Sequence, residues 1–535
     1  MPVKLIPAPL LTIAAVVFMA GSSVAQEEAD ALLLDAGRAL ADLGYVGRGE
    51  PLDVQVGDAL RQYQADNALA VTGALDEATV AMLLSPAVIK AILDADLQHL
   101  RELLDRGANP DFRLDNGGAS ALLIAAQAGA TELAAALLAA GADPDLPGPG
   151  GATPLWVAAQ EGHGDMAAAL LSAGADANLA DAASVTPLMI AVANGEGAIA
   201  TALLAAGANA DQRAGAAGLT ALQIAAADGD RGLVALLLEG GALIDAPGLR
   251  GQTALIVAAA RGDVALVGEL IEAGASLDLQ DADGLSALAW AADQAQLATV
   301  AALMEAGANV NGQDARGFTS LMVAAAGGRT EVMRTLIDHG ASIAIQERSG
   351  INALALAAEG GWAEAVIMLL AAGAAIDVQD GAGTTAVMRA AAHGRADVVA
   401  LLIEAGAALD TQDRRGATAT MKAAAAGALD VVTALLAGGA NVGTQDVDGN
   451  SALILAARAG RLTVVEALIA AGANLDVQNS GGESAASAAA AGGHQAIVER
   501  LRAAGAALHF SGHLRRFAAP LVIEIENRPK LPPIR

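Results

Sequence analysis

Three sets of side chains here have the types and spacing that chemistry could use. Among the imidazoles, His509 and His513 stand four apart, which on a helix would put both on one face as metal ligands. Gly512 interrupts that helix and no third ligand is near, while His163, His339, His393 and His494 fall at or near the ends of predicted helices, where structural roles account for them. The second set is a column of carboxylates and amides: Asp111, Asp145, Asn178, Asp211, Asp245, Asp278, Asn311, Asp377, Asp410 and Asp476. Aligned carboxylates hold calcium in some repeat proteins, but each of these stands alone in its turn, without the neighbours that six or more oxygen ligands require. Capping of the turn by the side chain is the expected role. The third set is cationic. Arg316, Arg348, Arg389, Arg414, Arg415, Lys422 and Arg458 gather in one stretch of an otherwise acidic chain, with His393 among them and Trp290 and Phe318 beside them. Guanidinium groups pair bidentately with carboxylates and an aromatic anchor adds apolar area, so this stretch has the chemistry of a docking surface for an acidic segment. No phosphate loop, nucleophile elbow or metal-ligand cluster occurs elsewhere, so the sequence offers no active site and calls for no cofactor or metal.

The elements that must position these residues are announced by a period. Gly-Ala recurs at Gly107, Gly141, Gly174, Gly207, Gly241, Gly274, Gly307, Gly340, Gly373, Gly406, Gly439, Gly472 and Gly505, at intervals of 33 or 34 residues. Ser, Thr or Asn follows on the same beat, from Ser120 and Thr153 through Asn352 to Ser451 and Ser484. Two markers in phase over this length predict a solenoid of identical supersecondary units. Within one unit, Thr186-Pro187-Leu188-Met189-Ile190-Ala191 leads to Gly195, then Ile199 to Leu203-Leu204 and Gly207. That order gives a hydroxyl N-cap, a short helix, a glycine stop, a second helix and a second stop. Between units, Gln280-Asp281-Ala282-Asp283-Gly284 has the Asp/Gly chemistry of a tight turn, which suits a hairpin finger projecting from the stack.

From about Pro86 to Leu508 this phrase resembles the ankyrin repeat in its period, both glycine stops and the Leu-Leu of its second helix. The resemblance implies an all-α fold, an ankyrin-repeat solenoid with a helix-turn-helix and a hairpin finger in each of about 13 repeats including caps. It also implies recognition of a protein partner on the fingertips and the inner helix face. Two departures stand out. No repeat has the family's His, whose place goes to Leu123, Trp156, Met189, Gln223, Ile256 and their successors; that His ties neighbouring loops, a tie these repeats are expected to lack. The repeat at Ser286 has Ala295 where the others have glycine between their helices, which predicts a weak joint. On the inner face, the position four after the hydroxyl is apolar from Ile124 to Leu356, turns to Arg389 and Lys422, and returns to Leu455. Stacked helices lie about 10 Å apart. These cations, the finger arginines Arg316, Arg348, Arg414 and Arg415, and His393 and Arg458 at the far helix ends would then line one groove, with Trp290 at its edge. The alternative is scattered surface charge balanced by Asp283, Glu359 and Asp448.

Ahead of the repeats, Met1 to Ala25 has one Lys, an apolar run from Leu5 to Ala20 and small residues from Gly21 to Ala25. This is the pattern of a cleaved secretory signal, with a mature chain beginning near Gln26; the rival reading is an uncleaved anchor. No later stretch is expected to span a membrane. Residues 26–85 are out of phase with the repeats and read as three short helices closing on Leu40, Leu60, Tyr63, Val71 and Leu83. The run Leu40 to Gly44-Tyr45, then Leu60-Arg61-Gln62-Tyr63-Gln64, then Val71-Thr72-Gly73, resembles the peptidoglycan-binding-like module of cell-wall proteins, which implies peptidoglycan as a partner. Residues 86–508 hold the repeats, opening with a cap whose inward positions are Ile89, Ile92 and Leu93 on one helix and Leu97, Leu100, Leu103 and Leu104 on the next. Residues 509–535 leave the pattern, with a strand or packed segment over Phe517 to Ile525 and a basic tail after it.

Bulk composition fits a stacked array. The chain is 54% hydrophobic but 2% aromatic because alanine dominates, and small side chains let helix pairs stack closely. A net charge of −29 argues against nucleic acid as a partner, since phosphate binding needs a basic footprint. The absence of Cys removes disulfides, thiolate metal sites and a lipid-bearing Cys, so packing alone must hold the fold. Together these readings predict a non-enzymatic periplasmic scaffold, tethered at or near peptidoglycan, that binds an unidentified protein. Two other classes remain open: a localising subunit or regulator of a cell-wall enzyme, which would need a catalytic set, and a structural spacer with no specific partner.

Overall fold

The computed structural model describes residues 40, 52–66, 71, 77–113, 118–215, 218–248 and 250–507. Among them the regular structure is helical, with isolated bridges in place of strands. The predicted signal, the first module helix apart from Leu40, Gly44, Tyr45, Gly73, and the tail with His509 and His513 lie outside the described residues. The chain divides into two compact units, Met1–Arg250 and Gly251–Arg535.

The first unit begins with α1 (Leu52–Asp66), α2 (Glu77–Leu93) and α3 (Leu97–Asp105). Leu40, Leu60, Tyr63 and Leu83 are buried as expected, and Gln64 is fully buried with its amide donating to the Thr79 hydroxyl at 2.7 Å. Val71 departs from expectation: it lies in the connection between α1 and α2, off any inward helix face, and is 56% exposed. Leu93 departs too, since the last residue of α2 stands in solvent while Ile89 and Ile92 are buried. The expected third module helix and first cap helix are one helix, because α2 runs on through Pro86. Four helix pairs follow, from Ala121–Gln127 with Thr131–Ala139 to Ala221–Asp228 with Arg231–Glu239.

The second unit stacks eight pairs, from Ala254–Arg261 with Val264–Glu272 to Ala485–Ala491 with Gln495–Ala503. The local reasons repeat. Thr253 Oγ1 accepts from the Ile256 amide at 3.3 Å, filling one of the donors left open at a helix start. Leu255, Ile256, Ala258 and Ala259 then meet Leu266, Val267 and Leu270, all 1% exposed or less. In the finger, Asp281 N donates to Leu285 O and Gly284 N to Asp281 O, and Gln280 bridges Ser286. Gly284 has φ +82° and any Cβ there would come within 2.2 Å of Ala315 N, so this tip admits glycine alone. Ala295 adopts the left-handed φ of its glycine counterparts, +57°, so the inner turn is kept at the cost of local strain.

Repeats are tied by polar rungs one period long, which overturns the expectation of untied loops. In the first unit two residues at the missing-His position do the tying directly. Trp156 Nε1 donates to Val185 O at 3.0 Å, and Gln223 Nε2 donates to Ala246 O at 3.1 Å. The Asp/Asn column does the rest, and its role differs from turn capping. Asp145 accepts from Asp176 N, Asp278 from Asn309 N, Asn311 from Ser342 N, Asp377 from Ala408 N and Asp410 from Asn441 N, all at 2.8–2.9 Å in the next repeat. Where the residue two earlier is Asp or Asn, it caps the turn, as Asp143 does for Asp145 N and Asn309 for Asn311 N. Glutamines form a second ladder, with Gln280 Nε2 on Gln313 O and Gln412 Nε2 on Gln445 O. At the helix ends His163 reaches Gln127 O, Trp362 reaches Ala326 O, Arg395 reaches Glu359 O and His494 reaches Arg458 O, each 36 residues back. His163 and His494 are thus structural, as expected.

Removing one rung tests this ladder. Asp410→Ala should cost about 1 kcal/mol and speed hydrogen exchange at the Asn441 amide, whereas Asp410→Asn should do neither, since Asn311 already serves as a rung. Equal exchange at Asn441 in all three proteins would show that the rung carries no load.

Candidate functional site

The cations singled out in the sequence all lie in the second unit, but the structure gives most of them an immediate partner. A finger carboxylate recurs at Asp281, Asp314, Glu347, Asp380, Asp413 and Asp446, 33 residues apart. One oxygen of each accepts amide protons of its own turn. Asp380 Oδ1, for example, takes Ala382 N and Thr384 N at 2.8 Å. At Asp281, Asp380 and Asp413 the other oxygen meets the inner helix nine residues on. Trp290 Nε1 donates to Asp281 Oδ2 at 2.8 Å, Arg389 Nη2 to Asp380 Oδ2 at 2.6 Å, and Lys422 Nζ to Asp413 Oδ2 at 2.7 Å. These residues staple three of the fingers to their helices.

Arg389 is the most heavily engaged. Its Nη1 also donates to Glu359 Oε2 at 2.5 Å, and His393 Nε2 lies 3.8 Å from the other Glu359 oxygen. Its Nε is buried without a partner, as is Oγ1 of Thr385, the N-cap of the same helix. Arg458 pairs with Glu483 and with Asn450 Oδ1. Arg316 turns back onto Asp314 and lies 4.7 Å over the Phe318 ring. The cations expected to line one groove are engaged differently: Arg389, Lys422 and Arg458 have their charge met from within the chain, by Glu359, Asp380, Asp413 and Glu483. Glu359, foreseen as a balancing group, is among them. Arg348, Arg414 and Arg415 differ. They are exposed at fingertips, and among the described residues no carboxylate pairs with them. The finger carboxylates were missed in the sequence although the column itself, with a cation nine residues later in two repeats, was the signal.

The staples are shielded from water. Arg389 is 18% and Asp380 4% exposed, Lys422 23% and Asp413 7%. Burial works to raise both carboxyls, but the Thr384 and Ala382 amides and Arg389 outweigh it at Asp380, and Lys422 with the Ala417 and Arg415 amides outweighs it at Asp413. Both therefore titrate below the ordinary carboxylate value. Asp145 shifts the other way, because burial dominates and the neighbouring carboxylates of Asp143 and Asp176 add to it, with the Asp176 amide opposing.

A stack of helix pairs with fingers between them, tied only to its neighbours, defines a helical repeat protein. The model for "Ankyrin repeats (3 copies)" matches in overlapping windows from 88–181 to 420–510, and the chain belongs to the ankyrin repeat family. Residues 33–83 match the model described as "Putative peptidoglycan binding domain". The two matches end and begin on either side of Pro86, within α2. No curated protein matches the chain. No described helix is long and apolar enough to cross a membrane.

The staples predict an acid response. A carboxyl whose folded value is depressed adds stability above its unfolded value, near 4, and that contribution is lost as pH falls through the folded value. Asp380→Asn with Asp413→Asn keeps both turn caps but removes both charges, and should cost about 1–3 kcal/mol at pH 7. In urea unfolding of the full chain followed by helical signal, the gap between variant and wild type should close toward pH 3. A gap that stays constant with pH would mean the charges do not stabilise the fold.

Proposed function

We propose that this chain is a non-enzymatic scaffold that acts in the periplasm, holding a protein partner at the cell wall. The observation that carries the reading is the join between its two modules. The peptidoglycan-binding match passes into the repeats through α2, a single helix whose second half buries Val88, Ile89, Ala91 and Ile92. Whatever holds the first module is thereby transmitted to the first repeat without a flexible linker. The apolar run of Met1 to Ala25 supports export, and the ankyrin repeats support recognition of a protein. The half-buried apolar column of the inner helices, such as Val257, Trp290, Val323 and Leu356 in the second unit, supplies area for contact.

The wall contact is tested with purified sacculi. A fragment of residues 26–107, ending after α3 so that α2 is not cut, should sediment with them, and a fragment of residues 251–507 should stay in solution. Recovery of both fragments in the supernatant would remove the tether from the reading.

A further inference from the structure

The fingertips of the second unit are hydrogen-bonded to one another through their backbones. Arg348 N donates to Arg316 O at 3.1 Å, Gly381 N to Ser349 O at 2.5 Å, Arg414 N to Ala382 O at 2.9 Å and Val447 N to Arg415 O at 2.9 Å. These bonds join the tips into a single edge, and its side chains are held at the repeat spacing of about 10 Å. Four guanidinium groups stand on three of four consecutive tips of this edge: Arg316, Arg348, and Arg414 with Arg415, while the tip at Gly381-Ala382 between them carries none. All four are exposed, and Arg316 is the one that meets a carboxylate. Beneath the tips, Asp314 is paired with Arg316, Asp413 is directed inward to Lys422 and Glu347 is turned onto the amides of its own turn, so Arg348, Arg414 and Arg415 face outward. In a chain of net charge −29 this edge is a local reversal of sign.

We propose that the edge docks an extended acidic segment of the partner protein, with carboxylates at every third residue. The proposal rests on the scaffold reading above and adds the partner's chemistry. An extended chain rises about 3.3 Å per residue, so three residues span about one repeat and bring a carboxylate to each tip in turn, and at the three tips that carry guanidinium groups it can be bound with two parallel hydrogen bonds. The backbone groups named above are already used between tips, so side-chain charge is what the edge offers.

The test uses the full-length protein and a labelled twelve-residue peptide, Glu-Pro-Ser repeated four times, which is extended and places glutamates about 9 Å apart. A control peptide has the same composition with its glutamates contiguous. At low salt the wild type should bind the spaced peptide more tightly than the control, and Arg348→Gln with Arg414→Gln and Arg415→Gln should weaken it about tenfold, as three exposed ion pairs allow. Added salt should weaken wild-type binding. The helical signal and melting should be unchanged, because only exposed side chains are altered. Equal binding by wild type and variant, or equal binding of the two peptides, overturns the proposal. Sacculus sedimentation separates it from the tether: a variant that loses sacculi shows that the edge serves wall polymer and overturns the proposal. A wild type that ignores sacculi but binds the spaced peptide supports the edge and removes only the tether.

Discussion

The interface between one repeat and the next carries the whole structure, because a stacked array has no central core and each unit packs on its neighbours alone. That interface is built on alanine. Ala258 and Ala259, Ala291 and Ala292, Ala324 and Ala325, Ala357 and Ala358 are fully buried where inner helices meet. Small side chains let the helices approach closely, but each buries little apolar surface, at about 0.8 kcal/mol per methylene. Close approach also brings the backbone of successive turns and fingers within hydrogen-bonding reach, and buried or crowded amides must find acceptors. The Asp/Asn column, the glutamine ladder and the fingertip bonds supply them. Packing and polar rungs are therefore one solution, since the same short spacing that alanine permits is what makes the rungs possible.

The sequence announced the units far better than the bonds between them. Helices, N-caps and glycine stops are local, so Thr253, Thr319 and Ser451 could be assigned from their immediate neighbours. A rung is not local. A bond from Asp410 to its own turn and a bond from Asp410 to Asn441 leave the same mark on a periodic sequence, a polar residue at one fixed phase. Periodicity thus reveals that the column matters and hides which repeat it serves. The same ambiguity made the missing His look like a missing tie, although Gln223 and Trp156 keep it by other chemistry. In the first module the inward positions of helices were legible, while Val71, which lies between helices, had no periodic face to be judged by.

Charge in this chain has to be read by position. Much of its acidity sits in turns and fingers, where carboxylate oxygens accept backbone amides: Asp278, Asp377 and Asp410 across repeats, Asp281, Asp380 and Asp413 within fingers. Net charge computed from composition treats these groups as solvated, but they are part of the folding of each turn. Two neighbouring repeats show the consequence for cations. Arg389 comes nine residues after Asp380, at the point of the inner helix that faces the free carboxylate oxygen, and it is captured. Arg414 comes one residue after Asp413, on the outside of the turn, and that carboxylate is directed inward to Lys422. Both are arginines in a finger-and-helix unit of the same design, yet one has its charge met inside the chain and the other presents it to solvent. Where a side chain falls relative to its finger carboxylate, rather than how many cations a stretch contains, decides what charge the surface has left for another molecule.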